Sequence, residues 1–538
     1  MSTQPWWRNA VIYQIYPRSY ADSSGDGYGD LPGVIEKLPY LVHLGVDAIW
    51  LSPFYLSPMA DGGYDVADYR VVDPMFGETA DAHRLIQQSH EQGLKVFIDL
   101  VPNHTSDEHQ WFTAAVAAEP GSRERSMYLF RDGRGPDGAE PPNNWSSVFG
   151  GPAWTRLHRP DGTPEQWYLH LFDVKQPDLD WSQEHVRAAF DDVLRHWLDA
   201  GVDGFRVDVA HGLVKEPGLP DAEQVTELLG TNVGPMWDQD GVHEIYRRWR
   251  RVLDEYDGDR ALTAEAWVPD AERLARYVRP DEMQQAFNFD FLTAPWDAAA
   301  YTSVITDSLA ANDAVGAPTT WVLSNHDVMR HASRLGREDT SDRNGVGPDG
   351  PQPDHELGLR RARAATLMML ALPGSAYLYQ GEELGLPEHT TLPHEFRQDP
   401  VWERSGHEQV GRDGCRVPMP WSFEEPGLGF SPTGRTWLLQ PESYRALAAD
   451  QQVDVPGSTW SLYRDALAAR KSHALGDGAI QWLEGFGDDV VAFSNGDITV
   501  LTNVAGSPVA LPDGDVLLAS TDVDDELPTD ATVWLRQN

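Results

Sequence analysis

Short apolar runs rich in β-branched and aromatic residues recur along most of the chain, each bounded by turn residues and followed by a longer stretch of helical periodicity. Eight runs stand out: VIYQIYP from Val11, DAIWLSPF from Asp47, KVFIDLVPN from Lys95, GFRVDVA from Gly204, ALTAEAW from Ala261, QAFNFDF from Gln285, TTWVLSNHD from Thr319 and GSAYLYQGEELG from Gly374. Segments between them such as DVLRHWLDAG and RRARAATLMMLALPG read as helices, the second stopping at Pro373 and Gly374. Strand alternating with helix over this length predicts a parallel sheet. Eight repeats fit a closed α/β fold, the (β/α)8 TIM barrel, better than an open sheet.

Two regions break the alternation. From Thr105 to Lys175 the chain is rich in Gly, Pro and aromatics, too long for an ordinary strand-to-helix loop, and reads as an inserted subdomain over the barrel mouth after the third strand. From Gly476 short apolar runs separated by Gly-Asp, Asn-Gly and Pro-Asp-Gly turns predict a C-terminal all-β sandwich. The expected layout is barrel over 1–104, insert over 105–175, barrel again over 176–475 and β domain over 476–538.

Composition removes several classes of partner. At 538 residues the chain exceeds what one core usually holds, so two or three domains are expected. A formal net charge of -42 excludes nucleic acid as a natural ligand, because phosphate backbones are bound by basic patches. The single cysteine, Cys415, rules out an internal disulfide and reads as a small packed side chain with no redox role. The segment MSTQPWWRNA carries no basic stretch leading into an apolar one, and no run of about 18 apolar residues is present. A cytoplasmic protein without a membrane partner, monomeric or homodimeric, is the expectation.

The ends of the strand-like runs carry polar residues that a purely structural strand does not need. The third gives Asp99, Asn103 and His104, the fourth Arg206 and Asp208, the fifth Glu265, and the seventh His326 and Asp327. In a (β/α)8 barrel such ends converge on one mouth, and Asp208, Glu265 and Asp327 with an Arg and two His are costly there unless they have a task. Asp99 reads as an internal partner of a neighbouring Arg or His, and Asn103 as a loop fastener.

The segments DLVPNHTS, GFRVDVA, TAEAW and LSNHD resemble the four short regions that mark the α-amylase superfamily, glycoside hydrolase family 13. QPDLDW at Gln176–Trp181 resembles a further motif of its α-glucosidase and oligo-1,6-glucosidase branch. Ala264 precedes Glu265 where many relatives carry Gly, which leaves the carboxylate in place. The resemblance implies cleavage of small α-glucosides with Asp208 as nucleophile, Glu265 as acid/base and Asp327 as the group that holds the distorted sugar ring.

The spacing of two strand ends agrees with what the resemblance implies. Retaining cleavage needs the two carboxyl groups about 5–5.5 Å apart, inverting cleavage about 6.5–9.5 Å. Asp208 and Glu265 end neighbouring strands, and such strands lie about 4.8 Å apart, so retention is predicted. Arg206, on the same strand face as Asp208, is expected to keep it ionised, and Glu265 to be raised by burial and its negative neighbour. His104 and His326 are suited to hydrogen-bonding the sugar.

The resemblance further implies a pair that grips the O4/O6 side of a terminal glucose. It maps onto Asp65 of the GYD triplet with Arg412, and Tyr64 becomes the stacking platform. A closed end means one glucose at a time from the non-reducing end. Phe149 and Phe172 are candidates for the pocket wall or for the insert's own small core. Val209 after the nucleophile resembles enzymes that accept α-1,6 bonds. The reading is a retaining α-glucosidase acting on short substrates such as maltose, with transglucosylation. An oligo-1,6-glucosidase, or a sucrose- or maltose-rearranging isomerase or glucosyltransferase, remains open.

The stretch DSSGDGYGDLPG from Asp22 raises a separate expectation. Oxygens of Asp22, Ser24 and Asp26, the backbone of Tyr28, and Asp30 match positions 1, 3, 5, 7 and 9 of a calcium loop, but the twelfth position is Gly33 rather than Glu. Family members carry a similar loop after the first strand. A structural Ca2+ is expected, ahead of Mg2+.

Overall fold

The computed structural model describes residues 4–223, 229–230 and 233–537. All eight apolar runs contribute strands: β1 Val11–Ile15, β2 Ala48–Leu51, β3 Lys95–Leu100, β4 Gly204–Val207, β5 Ala261–Ala264, β6 Gln285–Ala286, β7 Thr320–Val322 and β8 Ser375–Tyr379. They form one parallel eight-stranded sheet in the order β6-β5-β4-β3-β2-β1-β8-β7. A parallel bridge between Phe287 and Thr320 joins the two ends and closes the barrel.

Alternation along each strand sorts side chains into two environments. Ile12, Trp50, Phe97, Val322 and Tyr377 pack together in the barrel interior, whereas Val11, Tyr13, Ile49, Leu51, Val96, Ile98 and Phe205 join the larger core under the helices. Gly204 is forced by this packing. A Cβ there would stand 2.6 Å from the Phe97 ring and 2.4 Å from the Ala261 carbonyl oxygen. The surrounding helices bury one stripe each. In α1, Val242–Leu253, the buried set Val242, Ile245, Tyr246, Trp249, Val252 and Leu253 recurs at helical spacing, with arginines on the other face.

The sixth run departs from expectation. QAFNFDF forms a strand only over Gln285–Ala286, because Asn288 caps a short helix Phe289–Thr293 by accepting from Phe291 N. A local side-chain cap thus overrides the strand pattern, and the helix turns Phe289 inward against Trp267.

Between Thr105 and Lys175 lies a three-stranded antiparallel sheet of Phe130–Arg131, Pro164–Leu169 and Trp154–His158, with Pro164–Leu169 in the middle. Its apolar cluster is continuous with Val209, Leu219, Met236, Trp237 and Val401. The insert is therefore anchored on the loop after β4.

The C-terminal β domain is a lopsided sandwich. Its five-stranded antiparallel sheet contains β9 Ile480–Trp482, β10 Val490–Asn495, β11 Ile498–Asn503, β12 Asp515–Ala519 and β13 Ala531–Arg536, in the order β9-β10-β11-β13-β12. One face, with Val491, Phe493, Val500 and Trp534, merges with the barrel's core, while Ala492, Leu501, Val533 and Leu535 form a small cluster on the other. The second layer is reduced to the two-stranded pairing of Val509–Ala510 with Glu526–Leu527, because a barrel helix, α2 His355–Leu370, covers the first face.

Candidate active site

Strand register assembles the site. Asp99 on β3 stands opposite Arg206 on β4, and Arg206 opposite Thr263 on β5, so all three point into the barrel at one level. The pairing of Val207 with Ala264 then carries Asp208 and Glu265 to adjacent positions one level higher, across a single inter-strand step of about 4.8 Å. Arg206 ties them together. Its Nη1 lies 2.8 Å from Asp99 Oδ1 and 2.6 Å from Asp208 Oδ1, and its Nη2 lies 3.1 Å from Glu265 Oε2. Asp99 is thus the internal partner of an arginine. The Val209 amide donates to Glu265 Oε2 at 2.8 Å, and to do so Val209 adopts φ 45°, a left-handed conformation that costs energy for a β-branched residue.

The electrostatics separate the carboxylates. Burial pushes the Asp208 carboxyl well up; Arg206 opposes this, while Glu265, Asp99 and Asp327 add to it. Arg206 alone does not keep Asp208 in the ordinary range, contrary to the expectation, because burial outweighs the one guanidinium it touches and the neighbouring carboxylates add to it. Asp327 goes the other way. Burial would raise it, but the guanidinium groups of Arg412, Arg416 and Arg206 hold it well below the usual carboxylate range. Arg412 Nη1 and Arg416 Nη2 meet its Oδ1 at 3.1 and 2.9 Å. Asp327 is therefore a fixed negative charge.

Asp208, Glu265 and Asp327 line a cavity with about 550 Å3 of empty space, together with Asp61, Tyr64, His104, Phe172, Val209 and Arg412. The predicted Asp65–Arg412 pair is not formed. Asp65 faces the protein, accepting from Ser57 Oγ and from the amides of Ala60 and Asp61, and fastens its own loop. Asp61, four residues earlier, takes the place assigned to it: its Oδ1 meets Arg412 Nη2 at 2.8 Å. Arg412 is braced from behind by Asp399, 2.6 Å from its Nε. Asp61 also accepts from Gln176 of QPDLDW at 3.1 Å, and the same amide lies 3.1 Å from His104 Nε2. Burial pushes Asp61 up to about 6 even beside Arg412, and lowers His104 to about 4, so that imidazole is neutral.

Of the two places open to Phe149 the structure selects the insert's core, and the role expected of His326 shifts. Phe149 does not line the cavity; it lies under the Arg412 guanidinium, 5.4 Å from ring centroid to Cζ, and packs edge-on against Phe172. Its role is to back the wall that Phe172 presents. His326 stacks behind Tyr64, centroids 5.3 Å apart and planes within 9°, so it supports the platform.

Sequence reasoning missed His211, Trp237 and Trp267, which also line the cavity, as do Val148 and Leu229. His211 and Trp237 stack at 4.9 Å, and both His211 nitrogens and Trp237 Nε1 are buried without a hydrogen-bond partner among the described residues. The signal available was position alone: His211 follows Asp208 in the loop after β4, and Trp267 follows Glu265. Lys215 lies deeper, 2.8 Å from Asp178 Oδ2 and 2.8 Å from Asn103 Oδ1, so Asn103 is indeed a fastener.

The acidic loop lies between β1 and the helix Leu31–Leu44. Asp22 accepts from the amides of Gly25 and Gly27 and from Ser24 Oγ. Asp26 accepts from the Tyr28 amide at 2.9 Å, and Asp30 caps the helix by accepting from Gly33 N at 2.6 Å and from the Ser23 and Ser24 amides. Among the described residues no three His, Cys, Asp or Glu side chains converge as a metal cluster. The donor set is oxygen only, which suits a hard cation, while Asp30 is already committed to its cap.

The chain belongs to the α-amylase family: the model of the α-amylase catalytic domain matches residues 14–478. It is 38% identical to a probable α-glucosidase of Rhizobium meliloti (strain 1021), over 89% of this chain and 85% of that one. An oligo-1,6-glucosidase of Heyndrickxia coagulans is 36% identical over 87% and 85%. Among solved structures, an α-glucosyl transfer enzyme superposes with a TM-score of 0.86 at 36% identity, covering 99% of each chain. Among the described residues no helix is long and apolar enough to cross a membrane.

Proposed function

We propose that this protein is a retaining, exo-acting α-glucosidase that releases α-glucose from the non-reducing end of short α-glucosides such as maltose. The observation that carries the reading is the Asp61–Arg412 pair at the back of the cavity, with Asp208, Glu265 and Asp327 on the remaining wall. A terminal glucose stacked on Tyr64 would place its outer hydroxyls on Asp61 and Arg412 and its anomeric carbon toward Asp208 and Glu265. Asp208 attacks that carbon while Glu265 protonates the departing oxygen; Glu265 then takes a proton from water as water opens the glucosyl ester. Register supports the short carboxylate spacing of retention. Arg206, between Asp99, Asp208 and Glu265, compensates charge throughout.

The test is proton NMR of the purified protein with maltose and with isomaltose. α-Glucose as the first anomer is expected; β-glucose first would overturn retention. New glucosidic linkages would establish transfer. An oligo-1,6-glucosidase is the second reading, favoured by Val209 in the lining beside the nucleophile; faster cleavage of isomaltose than of maltose would select it.

Calcium in the Asp22–Asp30 loop, with magnesium as the alternative, belongs to the same proposal. So does a cytoplasmic monomer or homodimer, a setting that suits a chain with one buried thiol.

A further inference from the structure

A buried hydrogen-bonded row runs from β1 to the centre of the site. Gln14, 1% exposed on the inner face of β1, places its Nε2 2.7 Å from His326 Nδ1 and 3.3 Å from Ser52 Oγ. On the far side of the ring, His326 Nε2 lies 2.6 Å from the Tyr64 hydroxyl. That hydroxyl donates to Asp99 Oδ2 at 3.0 Å, and Asp99 Oδ1 accepts from Arg206 Nη1 at 2.8 Å.

The direction of the row is set at its Asp99 end. A carboxylate beside a guanidinium accepts, so Tyr64 gives its proton to Asp99 and takes one from His326. His326 must then carry its proton on Nε2. A neutral imidazole has one proton, so Nδ1 is bare and needs a donor, and the amide that faces it is that of Gln14. The surroundings favour neutrality: Asp327 Oδ2 is 3.4 Å from Nε2, but burial and the cations Arg416, Arg206 and Arg412 outweigh it. The Tyr16 ring, stacked at 5.8 Å, and the edge of Trp50 occupy the other approaches to the ring.

We infer that Gln14 is a positioning residue of this site: its amide holds His326 in the Nε2–H tautomer, which commits that proton to the Tyr64 hydroxyl and fixes the Tyr64 ring as the sugar platform. The reverse row would need Gln14 to present its oxygen, a proton on Nδ1, and a proton on Asp99 beside Arg206. Gln14 is in the barrel wall, reaching the cavity only through His326. The kinetic consequence rests on the glucosidase reading; the tautomer does not.

Both are separable by experiment. Protein labelled with nitrogen-15 in histidine is examined by long-range proton–nitrogen NMR without substrate, the His326 signals being identified by their loss in His326→Gln. The expected result is a protonated Nε2 and a bare Nδ1. In Gln14→Glu, a near-isosteric change whose carboxylate only accepts, Nδ1 gains a proton. A native Nδ1–H with a bare Nε2, or an unchanged Nδ1 in Gln14→Glu, would overturn the inference. On maltose, Gln14→Glu and Gln14→Met should lose roughly 10- to 100-fold in kcat/KM at a folded fraction matched by near-ultraviolet dichroism. Losses that merely follow the unfolded fraction would reduce Gln14 to a structural residue. If the native protein cleaves no glucoside, the functional reading fails while the nitrogen shifts still decide the tautomer.

Discussion

Arg206 bonds three carboxylates at once, and this makes the trio's substitutions informative in different ways. Asp208→Asn and Glu265→Gln keep volume and most hydrogen bonding, so each should lower kcat by about 10^3-fold or more with little change in Tm; near-native turnover in either would remove it from the chemistry. Arg412→Lys should act otherwise. Its guanidinium meets Asp61, Asp399 and Asp327 together, a task an ammonium cannot repeat, so KM for maltose should rise about tenfold or more while kcat falls less. The strand-end residues were legible because period-two alternation and parallel register fix which of them point inward. The Asp61–Arg412 pair was not. Asp61 and Asp65 are four residues apart in a loop bent by Gly62 at φ 57° and Gly63 at φ 105°, where no periodicity tells which carboxylate turns toward the cavity. Their hydrogen bonds decide it, and those depend on backbone amides that any sequence possesses.

At the scale of elements, the loop before the helix Leu31–Leu44 holds a carboxylate with two candidate duties. As an N-cap, Asp30 is worth about 1 kcal/mol, and Asp30→Ala should lower Tm by that measure even in a metal-free buffer. If the loop also takes calcium, millimolar Ca2+ should raise Tm and a chelator should lower it, with kcat at saturating maltose little changed. A melting curve indifferent to both would leave the loop a self-satisfied turn. The sequence pattern, oxygens at alternate positions, belongs equally to a cap, a turn and a metal loop. For the same reason QAFNFDF read as a full strand although Asn288 ends it after two residues: a local cap competes with a nonlocal ladder, and composition alone cannot weigh them.

Across the whole molecule, eight strands were visible because each is a short apolar run bounded by turn residues and buried on both faces, whereas the sandwich was overdrawn because the covering helix comes from another domain. In the segment after β8, Glu382 is buried, and burial pushes it up to about 8. Its Oε1 accepts from Tyr379 N at 3.1 Å, and its Oε2 has no partner among the described residues. The folded chain therefore holds a proton there that the unfolded chain releases near 4.5, so this group's contribution to stability is lost as pH rises from about 4.5 through about 8. Glu382→Gln should raise Tm relative to the native protein by more at pH 8 than at pH 5; a difference that stayed constant with pH would show the group ionised or exposed. The pair at the back of the cavity also governs traffic. On the proposed exo-acting reading Asp61 and Arg412 shut the inner end and everything passes through one mouth: the leaving sugar must clear it before water or another sugar reaches the bound glucose, and the freed glucose must depart before the next chain end arrives. No polymer can be threaded and shortened stepwise without letting go, so a long glucan would be trimmed in random order across the population, every chain losing its first residue before many lose their second.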